Sequence, residues 1–284
     1  MQHKIFHELF TLTTSDGEPI HASARFPQET EGAIPAIVFV HGFKGFKEWG
    51  SNPYICESLA RAGFYTISFN FTHNGVEGES EEFTQLDRFE QNTFSREVRE
   101  LHEVVDAVER GQVPGAGRLG GAIGLLGHSR GGGIVLLEAA DDRRIGAVAT
   151  WAAVSTFDRY SDRQKELWRQ EGFFESKNMR TGQMMRLGRG LLEDIESNAG
   201  RLDIRSAAAR LARPLLILHG EQDLSVKVEE GEQLRDAADP ALTDFESIPR
   251  TAHTFGAVHP FQGSNPVLEH AIERTTHFFL KHLR

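Results

Sequence analysis

Residues 124–133 read GLLGHSRGGG, an apolar run that ends in a serine with a glycine two places to either side. Ser129 between Gly127 and Gly131 has the pattern of a nucleophile on a tight strand-to-helix turn. With 28 glycines in 284 residues, the pentapeptide alone is equally a glycine-rich turn, so the reading depends on partners elsewhere. A serine hydroxyl is a poor nucleophile at its own pKa and needs a general base within hydrogen-bond reach. Imidazole suits, with an unperturbed pKa of about 6.5, and a carboxylate can then fix its tautomer. His253 in RTAHTF and Asp223 in HGEQD supply both, each just beyond an apolar run. Among 13 histidines the rival is His259 in AVHPF; His253 is preferred because it follows the last predicted strand directly. Asp223 is preferred to Glu221, since the loop must descend from LILHG before meeting a histidine, and Asp158 is an outlying candidate. His128 adjoins the serine, but neighbouring side chains on a strained turn point apart. The expected oxyanion donors are the backbone N–H groups of Phe43, in HGFKG (41–45), and of Arg130, where a helix N-terminus favours negative charge.

These residues need elements to carry them to one place. SDGE separates two β-rich runs, IFHELFTLTT and PIHASARFP, as a hairpin turn would. Strand-like runs follow at 36–42, 64–72, 122–129, 146–154, 214–220 and 244–249, alternating with helical patterns at 52–62, 94–110, 130–140, 226–238 and 266–283. In the second of these helices Val98, Leu101, Val105 and Val108 recur at spacings of three and four, and Gly111 ends it. Such alternation predicts an α/β fold with a mostly parallel sheet covered on both faces. Ligand chemistry in such a sheet gathers at the carboxyl ends of the strands, where His41, Ser129, Asp223 and, one loop further, His253 all fall. Residues 155–213 are too long for a simple crossover and read as a small helical cap inserted in one domain spanning 1–284. The cap carries Trp168, Phe173, Phe174, Met179, Met184 and Met185. Most of these are expected to pack the cap; Trp168, Phe174 and Met184, with His41 and with His73 in FTHNG, are the candidates for lining a substrate pocket. His41 and His219 also read as supports for turn backbone.

A net charge of -10 and the lack of a basic stripe exclude nucleic acid as an expected partner. The segment from 158 to 213 holds twelve Lys/Arg against nine Asp/Glu, a mild positive balance over an acidic body that hints at an anionic substrate. The amino terminus, MQHKIFHELF, lacks a signal-like apolar core, and no run is long enough to cross a membrane. Cys56, the one cysteine, falls in a helical pattern and reads as a packed residue. No metal-ligand spacing occurs, and no GK[ST] follows the glycine run. The expectation is a cytoplasmic protein acting on a small molecule without cofactor or metal, with a homodimer left open.

The stretches HGFKG (41–45), GHSRGG (127–132), HGEQD (219–223) and AHTF (252–255) together resemble the α/β-hydrolase superfamily, within it the bacterial dienelactone-hydrolase-like and cinnamoyl (feruloyl) esterase-like branch. The resemblance covers nearly the whole chain, least in the insert. It implies an eight-stranded α/β-hydrolase fold and a Ser–Asp–His triad in the order 129, 223, 253. A strict dienelactone hydrolase would have cysteine where this chain has Ser129, which favours ordinary carboxylic esters, cleaved through an acyl-enzyme. Thioester or peptide cleavage by the same residues, and a non-catalytic ligand-binding role, are the alternatives.

Overall fold

A computed structural model describes residues 4–284; the first three residues of the amino-terminal stretch lie outside it. Strands β1 (Ile5–Thr13) and β2 (Pro19–Pro27) form the expected hairpin, with Ile5 opposite Pro27 and Gly17 at positive φ in the turn. Then come β3 (Ala36–Val40), β4 (Tyr65–Phe69), β5 (Ile123–His128), β6 (Ile145–Trp151), β9 (Leu215–Gly220) and β10 (Thr243–Ile248). They join β1 and β2 in one eight-stranded sheet of order β1-β2-β4-β3-β5-β6-β9-β10. From β4 to β10 every pairing is parallel, while the β2–β4 pairing is antiparallel.

Parallel strands covered on both faces read as unbroken apolar runs, and β3 (AIVFV) is buried at every position. Its period of two divides the residues between two cores. Ile37 and Phe39 pack with Leu59 of α1 (Asn52–Arg61) and Phe279 of α9 (Pro266–Leu283). Val38 and Val40 face the other way, toward Leu101 of α3 (Phe94–Glu109), Ile134 of α4 (Arg130–Asp141) and Leu234 of α8 (Val228–Ala237). Cys56 sits in the first of these cores, and burial pushes its thiol up to about 12, so it packs as an apolar residue. The short helix α2 (Leu86–Glu90) was not visible in the sequence pattern.

The insert is not wholly helical. Helix α5 (Asp162–Glu171) opens on a capping box of Ser161 and Gln164 and stops at Gly172, φ 82°. Strands β7 (Phe173–Lys177) and β8 (Met184–Gly188) then pair antiparallel, before α6 (Arg189–Ser197) and α7 (Ile204–Arg210). The loop between the strands is folded by Asn178, whose Oδ1 accepts from the Arg180 and Thr181 amides, with Gly182 at positive φ. The signal was present as FFESK and MMRLG flanking an Asn- and Gly-containing loop, masked by their charged outer residues. Helix α7 packs on the body: a Cβ added at Gly133 of α4 would lie 2.6 Å from Ile204 Cδ1. No helix among the described residues is long and apolar enough to cross a membrane.

Candidate active site

The chain leaves β5 and enters α4 through Ser129, whose φ of 58° and ψ of -120° are strained for any residue with a Cβ. The turn is held by close approach. A Cβ at Gly127 would lie 2.3 Å from the Gly131 carbonyl oxygen, and one at Gly131 2.3 Å from that of Val40. Each contact is shorter than any side chain tolerates, so both positions require glycine. The Ser129 amide donates to the Trp151 carbonyl on β6 (2.8 Å), which fixes the turn to the neighbouring strand.

At the carboxyl edge of the sheet the three residues separated along the chain meet. His253 Nε2 lies 3.0 Å from Ser129 Oγ, and His253 Nδ1 donates to Asp223 Oδ2 at 2.6 Å. The other carboxylate oxygen, Oδ1, accepts from the amides of Ser225 (2.8 Å) and Val226 (2.9 Å). The Asp223 carboxylate is fully buried and the His253 side chain 20% exposed. Burial works against charge on Asp223, but the hydrogen bond and charge of His253 with those two amides outweigh it, and the carboxyl is held below its usual range.

Neighbouring histidines support this line without entering it. His128 Nε2 donates to the His253 carbonyl (2.9 Å); burial, then the nearby His253, pull its pKa down to about 3, so the ring stays neutral. His219 donates to the Val226 carbonyl (2.8 Å), bracing the Asp223 turn. His41 donates to the Gly42 carbonyl (2.9 Å) and sets its ring edge against Phe71. The rivals lie elsewhere. His259 Nδ1 accepts from the Gly50 amide (3.0 Å), Glu221 takes Ser247, and Asp158 pairs with Lys165.

The loop after β3 passes over Ser129: a Cβ at Gly42 would be 2.9 Å from Ser129 Cβ. The next amide, Phe43, and the first amide of α4, Arg130, have no acceptor among the described residues. Two N–H groups thus stand unused beside the serine, one at a helix N-terminus. The Phe43 ring lies 4.2 Å from the Arg130 guanidinium, which also stacks on Phe94 at 4.9 Å. That guanidinium donates to Glu97 Oε1 (2.9 Å) within an enclosed pair, and Asn92 donates to the same oxygen (2.6 Å). Sequence reasoning used only the Arg130 backbone and overlooked Glu97. The signal was a glutamate on the apolar face of α3, three residues after Phe94 and four before Leu101.

The other pocket candidates are less direct. Trp168 is completely buried, edge-on to Tyr160 (5.0 Å) and beside Phe174 (5.6 Å), so it forms the core of the cap rather than an open wall. Phe174 is half-buried in the same cluster, and Met184 is 49% exposed. His73 is buried with Nδ1 2.8 Å from Thr72 Oγ1, whose hydroxyl donates to Glu100 (2.5 Å). Burial, aided by Arg96 and Arg88, brings His73 down to about 4. It belongs to a polar network under the loop rather than to an open surface. One trio among the described residues has metal-ligand types close together: His102, Glu138 and Asp142, with ligand atoms within 4.8 Å of one another. Its carboxylates already take His102 (2.8 Å) and Arg144 (2.5 Å).

A strained serine, a histidine and a buried carboxylate at the carboxyl edge of this sheet define a hydrolase of the α/β type. The chain belongs to the alpha/beta hydrolase family, whose model matches residues 37–280. It is 26% identical over 226 residues to the 2,6-dihydropseudooxynicotine hydrolase of Paenarthrobacter nicotinovorans, covering 76% of this chain but spanning only half the length of that relative. The fold is shared with Est1E of Butyrivibrio proteoclasticus, solved with ferulic acid bound (TM-score 0.70, 21% identity, 96% of this chain and 98% of that one). It is also shared with a dienelactone hydrolase of Anabaena variabilis (TM-score 0.63, 18% identity, 99% and 100%).

Proposed function

We propose that the protein is a serine hydrolase that cleaves carboxylic esters through an acyl-enzyme. The observation that carries this reading is the continuous line Asp223–His253–Ser129, ending beside two unused amide donors. Ser129 Oγ attacks the ester carbonyl carbon while His253 Nε2 takes the hydroxyl proton. The oxyanion that forms is held by the Phe43 and Arg130 N–H groups. Collapse breaks the C–O bond to the alcohol, which leaves with the proton from His253. Water then attacks the acyl-serine, His253 takes its proton, and collapse returns the proton to Ser129 as the carboxylic acid departs. Asp223 keeps the ring in the tautomer with the proton on Nδ1 and offsets the imidazolium charge.

Ser129→Ala is expected to lower turnover of p-nitrophenyl esters by about 10⁴-fold or more and to abolish labelling by a fluorophosphonate probe. Turnover equal to wild type would remove the proposal. The relative from Paenarthrobacter supports a second reading, that the same residues act on 2,6-dihydropseudooxynicotine or a compound like it. Assay of that compound beside aryl, thioester and peptide substrates separates the two. A cytoplasmic location is part of the proposal, supported by one buried, unpaired cysteine and tested by cell fractionation.

A further inference from the structure

The loop that passes over Ser129 is joined to the cap by one side chain. Lys44 follows Phe43 directly, at a φ of 56°. Its Nζ donates to Ser176 Oγ (2.9 Å) and to the Lys177 carbonyl (2.6 Å), both at the end of β7. A lysine at a site mouth normally keeps its ammonium in water or pairs it with a carboxylate. Here no carboxylate among the described residues lies within 4 Å of it, and the ammonium is half-buried against the hairpin. Burial first, then the Arg130 guanidinium, lower its pKa to about 8. Charge-assisted bonds to two neutral acceptors offset part of that desolvation.

The rest of the hairpin is tied to other parts of the body. Gln183 donates to the Phe83 carbonyl (3.0 Å), and Gly188 packs on the Glu90 carbonyl, where an added Cβ would come within 2.4 Å. Phe174 is held in the cap by Tyr160 and Trp168. Lys44 is therefore the direct polar link, among the described residues, between the loop at Ser129 and the hairpin. The Lys44 Nζ also lies 4.9 Å from the centre of the Phe43 ring, which the Arg130 guanidinium approaches at 4.2 Å. Displacing the ammonium would free one of the groups that hold Phe43 in place.

We propose that Lys44 is a positioning residue that couples the seating of the β7–β8 hairpin to the placement of the Phe43 amide. With the hairpin seated, Lys44 is drawn toward the cap and the Phe43 N–H stands beside Ser129; with the hairpin lifted, Lys44 returns to solvent and the loop loosens. The proposal rests on the reading of Phe43 as an oxyanion donor. It assigns Lys44 to the step that builds negative charge, not to substrate capture.

The test measures kcat and KM for p-nitrophenyl butyrate, with amide hydrogen exchange over residues 173–188, in Lys44→Met, Lys44→Arg, Ser176→Ala and Lys44→Met/Ser176→Ala. Lys44→Met is expected to lower kcat about 10- to 100-fold, less than outright loss of an oxyanion donor. KM should stay within about threefold, as a group acting at the charged transition state requires, and hairpin exchange should accelerate. Lys44→Arg should restore most of kcat, since a guanidinium can reach both acceptors. Ser176→Ala should give a smaller loss of the same kind, and the double variant should be no worse than Lys44→Met alone. Unchanged kcat, unchanged hairpin exchange, or losses that multiply fully in the double variant would each overturn the coupling. If Lys44→Met fails to fold, Ser176→Ala decides alone, since full activity in it refutes the coupling. Ser129→Ala run in parallel separates the two proposals: an inactive serine variant with an indifferent Lys44 removes only the coupling, and an active one removes the function on which it rests.

Discussion

Replacing Asp223 by asparagine is the perturbation whose outcome the geometry constrains most. Asp223 Oδ1 accepts two amides, from Ser225 and Val226, while Oδ2 faces His253 Nδ1 at 2.6 Å. An asparagine that turned its carbonyl to the histidine would set its NH₂ against both amides in a buried site. Each donor left unpaired there costs about 1–3 kcal/mol. The side chain must therefore keep its carbonyl on the amides and turn the NH₂ to His253. Nδ1 can then only accept, so the ring proton moves to Nε2, the nitrogen 3.0 Å from Ser129 Oγ. A base becomes a donor with no atom displaced. The expected fall in kcat is about 10⁴-fold, or about 5.5 kcal/mol of barrier, with little change in thermal stability. Steady-state hydrolysis of p-nitrophenyl acetate at pH 7.5, with circular dichroism to check folding, reads the effect. A folded Asp223→Asn with kcat within tenfold of wild type would refute the assigned tautomer and the mechanism built on it.

Two further outcomes concern the groups behind the site. Glu97→Leu leaves the enclosed Arg130 guanidinium without its carboxylate and is expected to cost about 3–5 kcal/mol in urea denaturation; a loss below about 1 kcal/mol would show the pair to be dispensable. Glu100 is fully buried, and burial raises its pKa from 4.5 to about 7 against the hydrogen bonds from Thr72. Between those values the folded chain holds the proton that the unfolded chain has released, so this carboxyl erodes stability as pH rises from about 4.5 to about 7. Glu100→Gln, which resembles the protonated form, should therefore match wild type near pH 4.5 and exceed it by about 3 kcal/mol at pH 8. Parallel stability–pH curves for the two proteins would contradict this.

Much of the fold was legible because its determinants are local. The unbroken apolar run of β3 states that both its faces are covered, the spacing of three and four in α3 states which side is buried, and the glycines around Ser129 report a turn that no larger residue fits. The order Ser129, Asp223, His253 was readable because each residue follows the carboxyl end of a strand of one sheet, Ser129 directly and the other two a short loop later, and those strand ends converge. The histidines differ in the structure by bonding, which the sequence does not state: His259 accepts from the Gly50 amide, and His253 faces Ser129. What sequence reasoning missed depends on residues distant along the chain. Glu97 and Arg130 are 33 residues apart, and Lys44 and Ser176 are 132. Trp168 reads equally as pocket wall or as packing until Tyr160 and Phe174 close around it. The hairpin in the cap is hard to read for a related reason: its alternation is short and set among charged residues, and its seating depends on contacts near Phe83 and Glu90. Periodicity and steric exclusion act within a few residues and are written in the chain. Charge pairing and enclosure depend on which surfaces the folded sheet brings together, and those only the tertiary structure could decide.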